Sequence, residues 1–345
     1  MQRIPVAVLG ATGMVGQRLL ERLVDHPWFS IGALAASARS AGRPYGEATT
    51  WRLPGREHAG FGETPVLACE PDAMPPGVRV ALSALDSSVA ADIEGRFRAA
   101  GFAVISNAGA YRMDPAVPLV IPEVNPEHLS LLEGQHASGG YIVTNPNCCA
   151  IPLAMALAPL HRAFGVEALV ASTWQAVSGA GYPGESAWDM VGNVHPHPGN
   201  EELKLAQEPQ KILGAADSPA DFPLSARCVR VPTADGHLIS AQVRLTGDPS
   251  PEAVAAAIAE YRSPVAGLPS SPEPLFHVDR RRDRPAPRFD VGNGDGMAVT
   301  VGRIERCAVM GVKFYCLAHN TIRGAAGAAV ANLELLHQRE LLPKA

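Results

Sequence analysis

The chain has 345 residues, of which 47% are hydrophobic and 18% charged, and its formal net charge is −5 at pH 7. This composition supports a buried core and excludes a disordered chain, while the length predicts two domains. No apolar run in the sequence approaches the roughly 20 residues that a membrane span needs. The acidic balance gives no basic footprint for nucleic acid. We therefore expect a globular protein that binds neither membranes nor nucleic acid.

Six cysteines are spread along the sequence. The first apolar run ends at Gly10, too early for the core of a signal peptide. The sequence has neither a Cys-x-x-Cys pair nor a Cys/His cluster with zinc spacing, so we expect no metal. Reduced thiols are the default in the cytoplasm, which is the compartment that we expect.

The first half of the chain alternates short apolar runs with helical patterns. Residues 4–9 predict a strand, and residues 15–25 have the apolar spacing of a helix after a glycine-rich turn. Further strands are predicted at 31–36, 78–82, 104–106 and 141–144, with a helix at 86–100. This order predicts a Rossmann-like dinucleotide-binding domain over residues 1–147, completed by a C-terminal helix within 319–345.

The second half mixes strands and helices in a different way. Helices are predicted at 149–164, 201–213, 252–261 and 322–337, and strands at 166–173, 228–231, 238–245, 297–301 and 309–317. The segments 263–274 and 279–287 are interpreted as linkers. Together these elements predict an α+β domain with a mixed sheet over residues 148–318, which we expect to carry catalysis and oligomerisation.

A glycine-rich turn follows the first predicted strand. Gly10, Gly13 and Gly16 form the pattern G-x-x-G-x-x-G. Glycines at such positions let the backbone approach a pyrophosphate and leave helix N–H groups pointing at it. Three glycines alone can simply serve a turn. The strand before them and the helix after them favour a dinucleotide site.

The loop after the second predicted strand indicates which dinucleotide binds. An NAD site carries an acidic residue there for the ribose 2′-hydroxyl, but residues 35–42 contain no carboxylate. Arg39 lies between Ser37 and Ser40, and a cation with two hydroxyls suits a 2′-phosphate. A single arginine is often just a solvated loop residue. Together with the missing acid, it predicts NADP.

The sequence N-P-N-C-C at residues 145–149 joins a predicted strand to a predicted helix. A helix N-terminus lowers the pKa of a thiol, and a lowered pKa is what a nucleophilic cysteine needs. Two small residues that begin a buried helix are the alternative interpretation. These considerations alone do not distinguish Cys148 from Cys149.

Three further groups have side chains suited to chemistry. His237 lies in a glycine-bearing turn between two predicted strands, from which it could reach a cleft as a base. Arg230, seven residues earlier, could hold a carboxylate with its two-pronged guanidinium. Glu201 and Lys204 are three residues apart on a predicted helix and face one way, either as a surface salt bridge or as a substrate clamp.

Ten motifs occur in order along the chain: G-A-T-G-M-V-G-Q-R, S-N-A-G-A-Y-R-M, I-P-E-V-N-P-E-H, T-N-P-N-C, W-Q-A-V-S-G-A-G-Y-P-G, N-E-E-L-K, K-I-L-G, R-V-P-T-A-D-G-H, G-M-A-V-T-V-G-R and H-N-T-I-R-G-A-A-G. With these motifs the chain resembles the aspartate-semialdehyde dehydrogenases, specifically their archaeal and fungal branch. The resemblance implies an amino-acid biosynthetic enzyme that reduces and dephosphorylates L-aspartyl-4-phosphate with NADPH, through a cysteine thioester. It also implies a homodimer or homotetramer.

The resemblance assigns roles to individual residues. It implies that Cys148 is the nucleophile, that His237 is the acid/base and that Gln175 lies beside the thioester. Arg230 and Glu201 are expected to hold the carboxylate and amino group of the substrate. The phosphate is expected to bind Arg112, Asn107 and Lys204. The implied cofactor-binding residues are Gly10, Thr12, Gly13, Met14, Val15, Gly16, Ser37, Arg39, Ser40, Ser83, Gly179 and Asn320.

At Cys149 the chain departs from the motifs of the family that it resembles, and two alternative functions have to be weighed. Cys149 stands where the resemblance predicts Ser or Thr, so a second thiol could form an inactivating bridge. The nearest alternative function is a related acyl reductase, such as a malonyl-CoA reductase or a specialised paralogue, but Glu201 favours a substrate with an amine. A catalytically dead NADP-binding regulator is the other alternative, and the retained cysteine, glutamine, arginine and histidine argue against it.

Overall fold

The first of two sheets forms a parallel, doubly wound layer. The computed structural model describes residues 3–55, 57–135 and 139–344. Its first six strands are β1 (Ile4–Leu9), β2 (Phe29–Ala36), β3 (Val66–Ala68), β4 (Val80–Ser83), β5 (Ala103–Ser106) and β6 (Tyr141–Thr144). They pair in parallel in the order β3-β2-β1-β4-β5-β6. This order confirms the Rossmann-like prediction and puts the ligand crevice at the carboxyl ends of β1 and β4.

Helices from both ends of the chain cover this sheet. They are α1 (Met14–Leu23), α2 (Tyr45–Ala48), α3 (Ser87–Ala99) and α9 (Gly327–Gln338). Leu19, Leu20 and Leu23 on α1 share one apolar core with Val330 and Leu333 on α9. The last helix therefore packs with the N-terminal elements, although more than 300 residues separate α1 and α9 in sequence.

The second sheet is mixed, as the sequence predicts. Its strands are β7 (Val166–Gln175), β8 (Leu224–Arg230), β9 (His237–Leu245), β10 (Phe276–Asp279), β11 (Val299–Cys307) and β12 (Gly311–Ala318). In the order β10-β11-β12-β9-β7-β8, the two outer pairs are parallel and the inner pairs antiparallel. Its helices are α4 (Ala150–Phe164), α5 (Ala187–Met190), α6 (Glu201–Leu213), α7 (Pro251–Ala259) and α8 (Pro287–Asp290).

One face of the second sheet packs against the long helix α4. Alternate residues of β7, such as Leu169 and Ala171, share a core with α4, whose first eleven residues are all buried. The intervening residues Val170 and Trp174 lie on the opposite face and are exposed. The period of two along a strand explains this division, since neighbouring side chains point to opposite faces.

Several differences separate the predicted elements from the observed ones, and the short helices α2, α5 and α8 are among the elements that were not predicted. The short strands β3 and β10 were not predicted, because three or four residues are too few to show an alternating pattern. Strand β11 continues to Cys307, beyond the predicted end at Val301. Its pairing register shifts between Gly302 and Glu305, and this irregularity interrupts the apolar pattern. The last helix begins with a π-helical turn at Ile322–Ala326.

No helix in the described ranges combines the length and the apolar character that crossing a membrane requires.

A buried ion pair connects the start of the last helix to the loop that precedes residue 126. Both guanidinium nitrogens of Arg323 donate to the Glu123 carboxylate, each at 2.7 Å. Burial would raise the pKa of Glu123, but the charge and hydrogen bonds of Arg323 outweigh it and hold the pKa below its ordinary value. The carboxylate is therefore charged in the folded protein, and Arg323 depends on it for neutralisation.

Replacing Glu123 with Ala should lower the free energy of unfolding by about 3–5 kcal/mol, because the substitution leaves the buried Arg323 charge unpaired. Urea denaturation of the two proteins measures the difference. Glu305→Ala is the matched control, since Glu305 pairs with Arg303 at a partly exposed site and such pairs contribute about 0–1 kcal/mol. Equal losses in the two variants would contradict a structural role for the buried pair.

Candidate active site

The turn that carries the two adjacent cysteines begins where β6 ends. Cys149 is the N-cap residue of α4, and its backbone N–H donates to Asn147 Oδ1 at 2.9 Å. Cys148 is half-buried, whereas Cys149 is completely buried. A Cβ atom added to Gly324 would lie 2.8 Å from the Cys148 Cβ. The glycine in the π-helical turn therefore leaves space for the nucleophile turn (residues 145–149).

The structure places Cys148 beside His237, the first residue of β9. The distance between Cys148 Sγ and His237 Nε2 is 3.2 Å. The backbone N–H of Ala176 donates to the other ring nitrogen, Nδ1, at 3.0 Å. Because a backbone N–H only donates, Nδ1 acts as the acceptor and carries no proton. In the neutral ring the proton therefore lies on Nε2, which donates to the sulfur.

The two neighbouring thiols have opposite pKa shifts. A hydrogen bond from the Cys149 thiol is the main cause that holds the pKa of Cys148 well below its ordinary value, and His237 adds to the effect against the cost of burial. Burial raises the pKa of Cys149 well above its ordinary value. The lower pKa makes Cys148 the more readily ionised of the two thiols, which favours it as the nucleophile.

Cys148, Cys149 and His237 also bring three possible metal ligands within 4.8 Å of one another. A metal on His237 Nε2 would need the lone pair of that nitrogen, and the ring proton would then have to move to Nδ1. Metal-ligating histidines usually donate their other N–H to an acceptor. Here the partner of Nδ1 is itself a donor, so the arrangement fits a thiolate and a proton carrier better than it fits a metal site.

Gln175 and Arg230 end the parallel strands β7 and β8 and face each other in register. Arg230 Nη1 donates to Gln175 Oε1 at 2.9 Å, while Arg230 Nε is buried and has no hydrogen-bond partner among the described residues. Gly179 lies against this pair and His237, since an added Cβ would approach Arg230 Nη1 to 2.8 Å. Arg230 therefore keeps a buried donor available beside His237.

Helix α6 presents a row of alternating charges to the nucleophile turn. Glu201, Lys204, Glu208 and Lys211 follow a 3-4-3 spacing, which places them on one face. Glu201 accepts hydrogen bonds from Asn147 Nδ2 and Lys204 Nζ, both at 2.8 Å. Burial would raise the pKa of Glu201, but Lys204 and Asn147 outweigh it and lower the pKa. The carboxylate therefore stays charged.

The other two charged residues of this row, Glu208 and Lys211, were not singled out from the sequence. Glu208 accepts from the backbone N–H of Asn147 and from Arg112 Nη1. Lys211 Nζ donates to the carbonyl oxygens of Arg112, Asp114 and Val117 at 2.7–2.8 Å. Burial lowers the pKa of Lys211 to about 8 and raises that of Glu208. The 3-4-3 spacing was the signal that could have identified both residues.

Arg112 and Asn107 connect the nucleophile turn to the first sheet. Arg112 Nη2 donates to the Asn107 carbonyl at 2.6 Å, and Arg112 Nε is buried without a partner. The Asn107 amide donates to the Ser83 carbonyl and accepts from Asn145 Nδ2. Asn107 thus links the carboxyl ends of three strands, whereas Arg112 retains a free donor.

The glycine-rich turn forms a close backbone approach at the end of β1. Gly10 has a φ of +77°, and an added Cβ would lie 2.5 Å from the Ala84 carbonyl oxygen. At Gly16 an added Cβ would lie 2.3 Å from the Gly10 oxygen. Val15 packs against the core of the first sheet. The turn is therefore held at a spacing that only glycine allows.

A cavity of about 440 Å³ opens beside this turn. Six of the predicted cofactor residues line this cavity. Two arginines and one tyrosine that were not predicted from the sequence line it as well. The guanidinium of Arg52 lies 3.3 Å from the centre of the Tyr182 ring, which comes from the segment after β7. The predicted residues are Thr12, Gly13, Met14, Ser37, Arg39 and Ser40, and the additional ones are Arg43, Arg52 and Tyr182.

Asn320 lies at the other end of the site. Its Oδ1 accepts from the Gly236 N–H at 2.8 Å, and its Nδ2 donates to Ser178 Oγ at 2.9 Å. It thereby fixes the residue before His237. The structure places Gly179 against His237, Asn320 against Gly236 and Ser83 at the end of β4, all outside the arginine-lined cavity.

Comparison with known proteins identifies the family. The model for the NAD binding domain of semialdehyde dehydrogenases matches residues 5–132, and that for their dimerisation domain matches residues 157–323. The aspartate-semialdehyde dehydrogenase of Archaeoglobus fulgidus is 43% identical over 99% of this chain and 100% of its own length. That of Cryptococcus neoformans is 42% identical over 99% and 98%. The chain belongs to the aspartate-semialdehyde dehydrogenase family.

Solved structures of the family have the same architecture. The enzyme of Candida albicans, solved with NADP, is 38% identical, covers 99% of this chain and 100% of its own, and superposes with a TM-score of 0.90. An enzyme of Vibrio cholerae, solved in complex with ASA, is 27% identical with a TM-score of 0.78 over 98% and 99% of the chains. Both the predicted family and the predicted fold are confirmed.

Iodoacetamide should alkylate Cys148 well below the pH at which an ordinary thiol reacts. The thiolate is present above the lowered pKa and is lost only as the pH falls through it. His237→Ala removes the N–H donor, so the midpoint of the pH–rate profile should rise and the rate at neutral pH should fall about tenfold. Mass spectrometry of the tryptic peptide 113–162 measures the rates, with Cys148→Ser as the control. Identical midpoints would exclude His237 as the donor.

Proposed function

We propose that this chain catalyses the NADPH-dependent reductive dephosphorylation of L-aspartyl-4-phosphate to L-aspartate 4-semialdehyde. The observation that carries the proposal is the 3.2 Å contact between Cys148 Sγ and His237 Nε2, in a site lined by buried arginines. Aspartate-semialdehyde dehydrogenases that match this chain over almost their whole length support the choice of substrate.

Cys148 begins the reaction as a nucleophile. Its thiolate attacks the acyl carbon of the substrate, the carbon–oxygen bond to the phosphate breaks, and a thioester remains on the sulfur. Gln175, which accepts a hydrogen bond from Arg230, would lie beside this thioester. A thiolate suits both halves of the reaction, because it attacks acyl carbon readily and also leaves readily.

The glycine turn and the arginine-lined cavity fit a dinucleotide that carries an extra phosphate. Gly10, Thr12, Gly13, Met14, Val15 and Gly16 would form the pyrophosphate loop, since added Cβ atoms would fill the space at two of its glycines. Ser37, Arg39 and Ser40 would hold the 2′-phosphate. Ser83, Gly179 and Asn320 would complete the pocket towards Cys148. When bound, NADPH supplies the hydride that reduces the thioester carbon.

His237 moves one proton through one nitrogen. The Ala176 N–H keeps Nδ1 as an acceptor, so Nε2 alone carries the exchangeable proton of the neutral ring. Nε2–H stabilises the Cys148 thiolate before the attack. Once the thioester carbon has been reduced, Nε2 would give its proton to the oxygen of the adduct. As the adduct collapses to the aldehyde, the same nitrogen would take that proton back, and the sulfur would leave as the thiolate.

Charged side chains would hold the substrate, and of these Glu201 and Arg112 have oppositely charged partners within the protein. Arg230 would bind the α-carboxylate and Glu201 the α-ammonium group. Arg112 and Lys204 would bind the phosphate, with Asn107 positioning Arg112 through its carbonyl. Two observations support this assignment, namely the unpartnered, buried Nε atoms of Arg112 and Arg230.

The same proposal covers how this chain divides into domains, how copies of it assemble and in which cellular compartment it works. Residues 1–147 with 319–345 would form the NADP-binding domain, and residues 148–318 the catalytic and oligomerisation domain. A homodimer or homotetramer would form through the face of the second sheet that points away from α4, because Val170 and Trp174 are exposed there. The six free thiols suit a reducing, cytoplasmic compartment.

Loss of Arg230 should weaken transition-state binding by about 2–5 kcal/mol, because a desolvated carboxylate would lose its partner. Lys204→Ala should instead raise the KM for phosphate. Both effects are measured in the oxidative direction with aspartate semialdehyde, NADP and phosphate, on the wild type, Arg230→Ala and Lys204→Ala. Phosphate-independent turnover in the wild type, together with rapid reduction of malonyl-CoA, would reject the proposed substrate.

Arg39→Ala should reduce the preference for NADPH over NADH by about tenfold or more, since a charge-assisted contact to the 2′-phosphate is lost while the rest of the dinucleotide site remains. Dissociation constants from fluorescence titration of the two cofactors give the ratio. Arg22→Ala, on α1 and outside the cavity, is the control. An unchanged ratio in Arg39→Ala would place the 2′-phosphate elsewhere.

A further inference from the structure

Two thiols of unequal exposure lie next to each other at the start of α4. Cys148 is half-buried at the site, and Cys149 is completely buried behind it. We propose that hydrogen peroxide oxidises Cys148 and that Cys149 then closes a reversible Cys148–Cys149 disulfide. This modification site goes beyond the proposed reaction and does not require it.

The geometry makes Cys149 the nearest candidate for a resolving thiol. Both sulfur atoms lie within a cluster whose members are no more than 4.8 Å apart. Cys228 is also buried in the same core, whereas Cys69 belongs to another core. Cys307, at the end of β11, is the other half-buried thiol. The adjacent pair therefore combines an accessible sulfur with a shielded one.

The two thiols also differ in protonation, as expected if Cys148 reacts with the peroxide first and Cys149 closes the disulfide afterwards. The hydrogen bond from Cys149 and the contact with His237 keep the pKa of Cys148 low, so its sulfur is the nucleophile towards a peroxide. Burial keeps Cys149 protonated and shielded until an oxidised sulfur is beside it. The order of events follows from this difference.

The chemistry has two balanced steps. The Cys148 thiolate attacks one peroxide oxygen, the oxygen–oxygen bond breaks, and sulfenic acid and hydroxide form. The Cys149 sulfur then attacks the Cys148 sulfur, the sulfur–oxygen bond breaks, and the thiol proton leaves with the hydroxyl group as water. The peroxide is reduced and the two thiols are oxidised by two electrons.

The bond between neighbouring residues is strained and therefore easily reduced. Consecutive Cα atoms lie about 3.8 Å apart, below the usual range of about 4.4–6.8 Å for a disulfide. Strained and accessible disulfides are the labile ones. Cys149 is the N-cap residue, so distortion affects the Cys149–Asn147 hydrogen bond and the first turn, where the Leu153 N–H reaches the Cys149 carbonyl at 3.3 Å.

The disulfide removes the Cys148 thiolate for a time, but it also protects this sulfur from irreversible oxidation. A sulfenic acid left in the site reacts with more peroxide to form sulfinic acid, which thiols do not reduce. A neighbouring thiol that captures the sulfenic acid first prevents this step. Reduction by dithiothreitol then restores both thiols.

The test uses the full-length protein and mass spectrometry. Trypsin releases residues 113–162 as one peptide, because it contains no lysine or arginine before position 162, and Cys148 and Cys149 are its only cysteines. Wild type and Cys149→Ser are treated with hydrogen peroxide, and free thiols are then blocked before digestion. The matched variant keeps a hydrogen-bond donor beside Cys148 but cannot form the bridge.

In the wild type the peptide should become two hydrogen atoms lighter, resist the thiol block and return to its original mass with dithiothreitol. In Cys149→Ser, Cys148 itself should gain two or three oxygen atoms that dithiothreitol does not remove, and fragmentation of the peptide separates these from oxygen on Met113 or Met155. Equal oxygen uptake at Cys148 in both proteins would overturn the proposal, as would a cross-link between this peptide and the one containing Cys228. These masses are independent of substrate turnover, so they remain informative whatever reaction the protein catalyses.

Discussion

A buried carboxylate on α6 holds the nucleophile turn in place. Glu208 accepts the backbone N–H of Asn147, directly before Cys148, and pairs with Arg112. Lys211, one turn further along, holds the loop of Arg112 by three carbonyl oxygens. Because unpaired buried charges are costly, these contacts form together or not at all. One helix face therefore fixes the positions of the thiolate and the arginine beside it.

The proton chemistry of the site depends in turn on the register of the second sheet. Gln175 and Arg230 end neighbouring strands at the same level, so the next residue, Ala176, directs its N–H at His237. That single backbone donor decides which ring nitrogen faces Cys148 with a proton. A shift of the register by one residue would turn Gln175 and Arg230 to the opposite face. Catalytic function is thus linked to strand pairing rather than to the histidine alone.

Local sequence was enough to predict the parts of the site that depend on local structure. The strand, the glycine turn and the helix at Gly10–Gly16 are contiguous, and the Cys148 turn is equally local. The role of Glu208 and Lys211 was missed because it depends on contacts 61 residues away for Glu208 and 94 to 99 residues away for Lys211. The contribution of Tyr182 to the arginine-lined cavity is likewise a contact between distant segments. Motifs name the residues, but only the packed structure shows their partners.

The charged groups of the site differ in the partners that the protein gives them. Lys204 neutralises Glu201 and Glu208 neutralises Arg112, whereas Arg230 donates to the neutral Gln175 amide oxygen. The proposed substrate carries an ammonium, a carboxylate and a phosphate group, and it would exchange these partners rather than create new buried charges, so folding has already met part of the desolvation cost. An uncharged substrate offers no such exchange and would leave each pair intact. The way in which these side chains balance their charges therefore supports the proposed substrate.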